Sequence, residues 1–346
     1  MRILLGMSGG LDSTYALKKL LDEGHSVEGA VLVMHPYTEN DLARQSADSF
    51  GVKLHVINCE KEFSETVIPN FISQYKSGRT PNPCVICNSE IKFKLLYEYA
   101  IANGFDAIAT GHYANIVKIN DEFGTRYALS CPTDDKKDQT YVLWRLSQEI
   151  LSKLVLPLYN NKKETVRTEA KSIGLVAADR EDSQEICFIP DNDYVGYIER
   201  STGPSPKGNF VDCDGNILGQ HKGIINYTVG QRKGLGIAMG RRVFVTDIDP
   251  ITNAVTLSPE DRMSDRVEIS SMVFSGMHEP PQNSQTLLFV KLRYLAKPTE
   301  CILSYHGNGR ATLSLSEPVR AVTPGQSAVF YRDGVLMAGG FIDKKN

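Results

Sequence analysis

Eight residues near the start of the chain, Gly6-Met7-Ser8-Gly9-Gly10-Leu11-Asp12-Ser13, limit most strongly what it can fold into. They follow the strand-like stretch Arg2-Ile3-Leu4-Leu5 and precede a helix-like run from Thr14 to Leu21. That order is strand, glycine-rich turn, helix. Such a turn aims free backbone N–H groups at an anion, and the helix dipole adds roughly half a positive charge there. Gly9 and Gly10 lack a Cβ, so the backbone can close on phosphate oxygens; Ser8 and Ser13 can add hydroxyl donors. No Gly-Lys-Ser/Thr follows, so this is not the Walker phosphate loop. As a bare pattern it would also serve as a helix N-cap after a tight turn.

The loop resembles the Ser-Gly-Gly-x-Asp-Ser loop of the PP-loop ATP pyrophosphatases. The resemblance implies that Gly6, Met7, Ser8, Gly9, Gly10, Leu11, Asp12 and Ser13 bind ATP with Mg2+. Enzymes of that kind hold the β- and γ-phosphates as a leaving group and transfer AMP to an oxygen.

The first half of the chain alternates strands and helices. Short apolar runs at 27–34, 53–58 and 106–111 are separated by helical patterns at 41–50, 62–75 and 90–102, with further helices at 139–149 and 164–173. The alternation predicts a doubly wound parallel α/β sheet with ligands at the carboxyl ends of its strands. Near residue 200 the character changes. Ser201-Thr202-Gly203-Pro204-Ser205-Pro206-Lys207-Gly208 reads as a linker, and beyond it the helical period disappears. Between Lys207 and Arg242, six Lys/Arg face two acids, a local excess of +4 in a chain whose net charge is −3. Six longer strands follow from Val267 to Ile342, with a hairpin signal at Gly307-Asn308-Gly309. Closing them into a barrel would remove exposed edges. The expected organisation is a PP-loop catalytic domain at 1–200, a small basic mixed-β domain at 201–260 and a C-terminal β-barrel at 261–346.

At 346 residues the chain is long enough for two or three cores. No run is long enough to span a bilayer and no signal peptide is evident, so no membrane partner is expected. Seven scattered cysteines suit a reducing cytoplasm better than a disulfide framework. Three stand apart. Cys84 and Cys87 follow Thr80-Pro81-Asn82-Pro83 and precede a helix starting near Ser89, and Cys187 lies in Ser183-Gln184-Glu185-Ile186-Cys187-Phe188. A thiol before a helix N-terminus is a candidate for a lowered pKa; at the ordinary value of about 8.5, roughly 3% is thiolate at pH 7. The Cys-x-x-Cys pattern alone leaves a redox pair, a zinc half-site and chance all open. Cys59, Cys131, Cys213 and Cys301 read as small buried hydrophobes.

Seven motifs in one order give a closer resemblance. They are the loop at 6–13, Gly78-Arg79-Thr80-Pro81-Asn82-Pro83 with Cys87-Asn88, Ala109-Thr110-Gly111-His112-Tyr113, Lys137-Asp138-Gln139-Thr140-Tyr141, Glu185-Ile186-Cys187-Phe188, Thr228 to Gly236, and Thr323 to Val329. Over essentially the whole chain this resembles the tRNA-specific 2-thiouridylase family. The resemblance implies that ATP adenylates the 2-oxygen of a wobble uridine and that sulfur then displaces AMP. It makes Cys187 the persulfide carrier and Cys87 the nucleophilic partner thiol, which frees sulfide or forms a disulfide with Cys187. It adds Met34 and Gly111 to the ATP contacts. It assigns Asn82, Pro83 and Cys84 to the target base, and His112, Lys137, Asp138, Gln139, Arg293, Tyr294 and Gln326 to tRNA. Partners would be tRNA and a sulfur donor, either a cysteine desulfurase or a sulfur-relay protein.

The chain departs from the family pattern at position 84, where an aspartate proposed as the acid/base is usual and this chain has Cys84. Cys84, Cys87 and Cys187 could then hold three irons of a [4Fe–4S] cluster, leaving the fourth open to sulfide. The loop at 35–40 and the one around 239–242 are also short. Two other readings remain: a PP-loop ligase that amidates a small molecule, and a non-catalytic RNA-binding module.

Overall fold

Five parallel strands form the first sheet of the computed structural model, which describes residues 1–38, 40–179 and 186–343. In chain order the first unit contains β1 (Arg2–Gly6), α1 (Leu11–Asp22), β2 (Ser26–Val33), α2 (Asn40–Ser49), β3 (Leu54–Asn58), α3 (Glu60–Lys76), α4 (Pro83–Ile86), α5 (Phe93–Ala102) and β4 (Ala107–Thr110). It continues through β5 (Asn115–Asp121), β6 (Gly124–Ser130), α6 (Thr140–Leu143), α7 (Gln148–Lys153), β7 (Leu154–Val155), α8 (Lys163–Ser172) and α9 (Tyr194–Thr202). The strand order is β3-β2-β1-β4-β7. β1 is central, and its run Ile3-Leu4-Leu5 is wholly buried because helices cover both faces. Leu4 packs with Phe93 and Leu96 of α5 on one side. Ile3 and Leu5 pack with Ala16 and Leu20 of α1 on the other.

The strand order reverses between β1 and β4, whose ends pair Gly6 with Thr110. The segments leaving them, Met7–Gly10 and Gly111–Tyr113, therefore emerge side by side. That is the crevice where ligands bind in doubly wound sheets.

The second unit is a four-stranded sheet ordered β10-β11-β8-β9, with β8 (Gly208–Val211), β9 (Ile217–His221), β10 (Phe244–Asp249) and β11 (Ala254–Ser258). Its β8–β11 pairing is parallel and the others are antiparallel, a mixed sheet. The third unit holds β12 (Met263–Phe274), β13 (Ser284–Lys291), β14 (Thr299–Gly307), β15 (Arg310–Arg320), β16 (Ser327–Arg332) and β17 (Val335–Ile342). The order β12-β15-β14-β13-β16-β17 closes through β12–β17, so the expected six-stranded barrel forms. Its hairpin turn has φ of 87°, 52° and 67° at Gly307, Asn308 and Gly309, the left-handed region that Gly and Asn tolerate.

Two local expectations change. The helix expected at 139–149 is broken into α6 and α7, because Ser147 caps α7 by accepting from Ile150 N at 3.3 Å. The residues between are held by the barrel instead: Tyr141 Oη donates to Ser327 O and Trp144 Nε1 to Ser327 Oγ, each at 2.9 Å. The β5–β6 hairpin was not anticipated; it continues the barrel sheet through a Ser130–Val335 pairing. Val329, Tyr331 and Leu336 of the barrel share one hydrophobic core with Tyr141 and Trp144. A Cβ on Gly339 would lie 2.5 Å from the Trp144 ring, so glycine lets the two units pack.

Candidate functional site

The loop at 6–13 forms the predicted strand–turn–helix. Gly9 has φ of 74°, and a Cβ there would meet Leu42 Cβ at 2.5 Å, so a side chain is excluded twice over. Gly10 caps α1 with backbone alone; no side chain caps the helix. Ser13 Oγ donates to Gly10 O at 3.0 Å and accepts from Ser8 N at 3.2 Å, which folds the loop around two hydroxyls. An uncapped helix start beside two hydroxyls suits an anion. Gly111 lies directly behind: its Cβ would fall 2.7 Å from Asp12 C and 2.8 Å from Ser13 N.

Asp12 is held from two sides. Lys163 Nζ reaches its carboxylate oxygens at 2.6 and 2.7 Å, and Tyr113 Oη donates to Oδ1 at 3.0 Å. Neither Lys163 nor Tyr113 was flagged for this role from sequence. Lys163 lies more than 150 residues from the loop, and only the docking of α8 on α1 brings it there. Asp12, Ser8 and Ser13 are hard oxygen donors of the type Mg2+ takes.

The cysteine segment is built by local capping. Asn82 Oδ1 accepts from Cys84 N at 3.1 Å, and Pro83 occupies the first helical position, where a missing N–H costs nothing. After α4 the helix widens into a π-turn over Cys87–Lys92, where Phe93 N donates to Asn88 O. In an α-helix, residues five apart point about 140° away from each other. A π-turn brings them back to one face, so Cys87 and Lys92 share it.

Cys84 and Cys187 are exposed and Cys87 is buried. Cys87 Sγ lies 3.7 Å from Met34 Sδ, beyond the end of β2. Burial pushes the Cys87 thiol up to about 12, against the pull of Lys92, and the other thiols add to the rise. Partial desolvation by the surrounding chain also raises the Cys187 thiol, exposed as its surface is, again opposed by Lys92. Burial lowers Lys92, but Cys87, Cys84 and Cys187 outweigh it and hold its ammonium above the ordinary value. The three thiols thus feel one common cation, Lys92, which the sequence did not single out. All seven cysteines are free thiols, so Cys87 and Cys187 are not bridged. Among the described residues no group of three or more His, Cys, Asp or Glu is arranged to hold a metal ion. Cys84, Cys87 and Cys187 are thus not preassembled as such a group, and the iron–sulfur expectation rests on the sequence alone. Phe188 anchors its neighbour Cys187 between Phe63 and Phe71, with ring centroids 5.4 Å away in each case. Ser183, Gln184 and Glu185 lie outside the described residues.

His112 stands beside Gly111, with Nδ1 2.9 Å from Thr110 Oγ1 and its ring 5.3 Å from Phe93. Burial, helped by Lys92, lowers it to about 3, so the imidazole is neutral. Gly78–Pro83 joins the three units. Thr80 N donates to Pro324 O and Gln326 Nε2 to Thr80 O, both at 2.8 Å, and Thr80 Oγ1 reaches Thr228 Oγ1 at 3.0 Å.

A model of the tRNA methyl transferase HUP domain matches residues 1–191. A tRNA methyl transferase PRC-barrel domain matches 196–259, and an aminomethyltransferase beta-barrel domain matches 264–342. The chain is 41% identical to tRNA-specific 2-thiouridylase MnmA 1 of Clostridium botulinum (strain Loch Maree / Type A3), over 99% of each chain. It is 41% identical to the 2-thiouridylase MnmA of Carboxydothermus hydrogenoformans, over 99% of this chain and 98% of that one.

The chain belongs to the tRNA-specific 2-thiouridylase family.

A crystal structure of a 4-thiouridine synthetase–RNA complex with bound ATP is 21% identical, covers 51% of this chain and 42% of its own, and has a TM-score of 0.33. Within the 2-thiouridylase frame, the expected RNA contacts separate into two groups. Asn82, Pro83, Cys84 and His112 lie around the thiols and β4. Asp138, Gln139, Arg293, Tyr294 and Gln326 lie where the first unit meets the barrel, and Lys137 ends the short 3-10 turn just before Asp138. Several of these use their polar atoms internally. Asp138 is buried and paired with Lys291 at 2.7 Å, and Arg293 Nη2 donates to Ala321 O and Thr323 Oγ1. In the second unit, Arg232, Arg241 and Arg242 line a glycine-rich hollow with Gly234 and Gly236.

Proposed function

We propose that this chain is an ATP-dependent tRNA-uridine 2-sulfurtransferase. The observation that carries the reading is the meeting of two chemistries in one crevice. An uncapped phosphate-type loop leaves β1, and the Met34 sulfur beyond β2 touches the Cys87 thiol at 3.7 Å.

The loop at 6–13 holds the triphosphate, with Gly111 allowing close approach and Met34 beside the adenine. Mg2+ would sit with Asp12 and the loop hydroxyls and offset phosphate charge, once Lys163 gives up part of its hold. The uridine 2-oxygen attacks the α-phosphorus and pyrophosphate leaves. The terminal sulfur of a Cys187 persulfide then attacks the ring carbon and AMP departs. The Cys87 thiolate attacks the Cys187 sulfur, breaking the S–S bond and leaving the outer sulfur on the base. The balance is a Cys87–Cys187 disulfide, which an external thiol reductant must reopen. Lys92 shares the face of Cys87 and favours its thiolate against burial. His112, being neutral, serves as a hydrogen-bonding contact to RNA and not as a cation. The flipped base would be read by the rigid Asn82–Pro83 segment. tRNA would bind along the barrel–catalytic junction and the arginine-lined hollow of the second unit.

Pyrophosphate release tests the reading: stimulation by tRNA supports it, and stimulation by a small amide acceptor in place of tRNA refutes it.

A further inference from the structure

The Asp138–Trp144 segment belongs to the first unit by sequence, yet it is fastened to the barrel. Lys291 Nζ of β13 pairs with Asp138 Oδ2 at 2.7 Å. Thr140 Oγ1 lies 2.9 Å from Tyr331 Oη of β16. Ser327, at the start of β16, takes hydrogen bonds from both Tyr141 and Trp144. Asp138 Oδ1 also accepts from Thr140 N at 2.9 Å, which locks the start of α6.

The same segment has a second attachment, through Gln139. Its Oε1 accepts from Tyr113 N at 2.8 Å, and its own N donates to Tyr113 O at 3.0 Å. Tyr113 is buried, and its hydroxyl ends on Asp12. A path of hydrogen bonds, joined through the Asp138–Gln139 backbone and the Tyr113 side chain, thus runs from β13 of the barrel to the first turn of α1. Lys291 lies two residues before Arg293 on the path leaving β13, where the resemblance places RNA.

We propose that the Asp138–Gln139 segment is a strut between the RNA-binding barrel and the nucleotide loop, with Lys291 and Tyr113 as positioning residues at its ends. The carboxylate of Asp138 and the amide oxygen of Gln139 face inward to these partners. RNA seated on the barrel then sets the position of Asp12, so activation of ATP waits for the RNA. The activity arm of this proposal rests on the sulfur-transfer reading; the structural arm does not.

Two variants cut the strut at opposite ends. Tyr113→Phe removes only the hydroxyl. Asp138→Asn with Lys291→Met removes both charges together, so no buried charge is left unpaired, and the introduced amide would still cap α6. Amide hydrogen exchange of residues 6–14 in the nucleotide-free full chain is the first readout. Each variant is expected to speed it by about fivefold or more, the lower end of ordinary coupling. The stimulation of pyrophosphate release by tRNA is the second, expected to fall about tenfold. Combining the variants should add little, because both interrupt one path. Unchanged loop exchange in the Asp138→Asn/Lys291→Met variant overturns the strut, as do effects that simply multiply. Parent protein with no tRNA-stimulated release contradicts sulfur transfer, and the exchange readout then decides the strut alone.

Discussion

Cys87 Sγ and Met34 Sδ lie 3.7 Å apart, which puts the buried thiol against the residue that follows the second strand of the parallel sheet. Both belong to the core that also contains Phe63, Phe71 and Phe188. A thiol there is shielded from water, just past the carboxyl end of β2. The consequences are chemical and can be measured.

The nucleotide loop should be sensitive at its side chains and not only at its glycines. Asp12 is clamped by Lys163 and Tyr113, and Ser13 bridges Ser8 and Gly10. Asp12→Asn and Ser13→Ala are each expected to lower tRNA-dependent pyrophosphate release about 100-fold, or roughly 2.7 kcal/mol of barrier. Thermal melts should show the fold retained. Parent-like thiolation by both variants would remove the nucleotide assignment.

Thiol reactivity should follow the burial pattern. Cys84 is exposed, and burial pushes Cys87 up to about 12. Alkylation read by peptide mass should therefore mark the exposed Cys84 and Cys213 well before the buried Cys87. The rate at Cys87 should climb about tenfold per pH unit through pH 10, because the thiolate reacts and its fraction grows at that rate. Lys92→Met should slow Cys87 further, and Lys92→Arg should not. A plateau in the Cys87 rate near pH 8 contradicts this picture.

His112 should penalise stability in mild acid. Folded His112 takes a proton only near pH 3, whereas the unfolded residue does so near 6.5. Between those values the unfolded state binds more protons, so stability falls as pH falls, by about 1.4 kcal/mol per unit from this group alone. Urea midpoints at pH 7 and pH 5 should drop less in His112→Gln than in the parent. Equal drops would mean that the imidazole charges in the folded state.

RNA binding should be electrostatic and local. Arg232, Arg241 and Arg242 line one hollow, although the net charge of the chain is −3. If about five phosphates are neutralised, affinity should fall roughly 500-fold between about 50 and about 200 mM salt. Arg232→Glu with Lys233→Glu should weaken all substrate tRNAs alike. A flat salt dependence, or unchanged binding by the double variant, assigns the hollow to plain surface.

The strand–turn–helix at 6–13, the parallel sheet and the barrel were legible in the sequence because each rests on a local pattern. Two glycines between a strand and a helix permit few other conformations, and the alternating strands from Val267 onward have one way to lose their edges. What escaped depends on contacts distant in sequence. Nothing near Tyr141 or Trp144 announces that Ser327 will bind them and break the expected helix. Lys163 reads as the start of an ordinary amphipathic helix until α8 docks beside Asp12. Lys92 is one lysine among many until the π-turn rotates it onto the face of Cys87. A shared site for Cys84, Cys87 and Cys187 was not legible either, because three cysteines in a sequence do not fix where their sulfurs point.

Mass analysis of nucleosides from tRNA incubated with the protein, ATP and a persulfide source tests the central claim most directly. The parent should produce 2-thiouridine at the wobble position only when ATP is present. Cys187→Ser and Cys87→Ser should produce none while still binding ATP and tRNA, since neither thiol is needed to hold the substrates. Absence of 2-thiouridine from the parent reaction, or its formation by Cys187→Ser at the parent rate, would contradict the account.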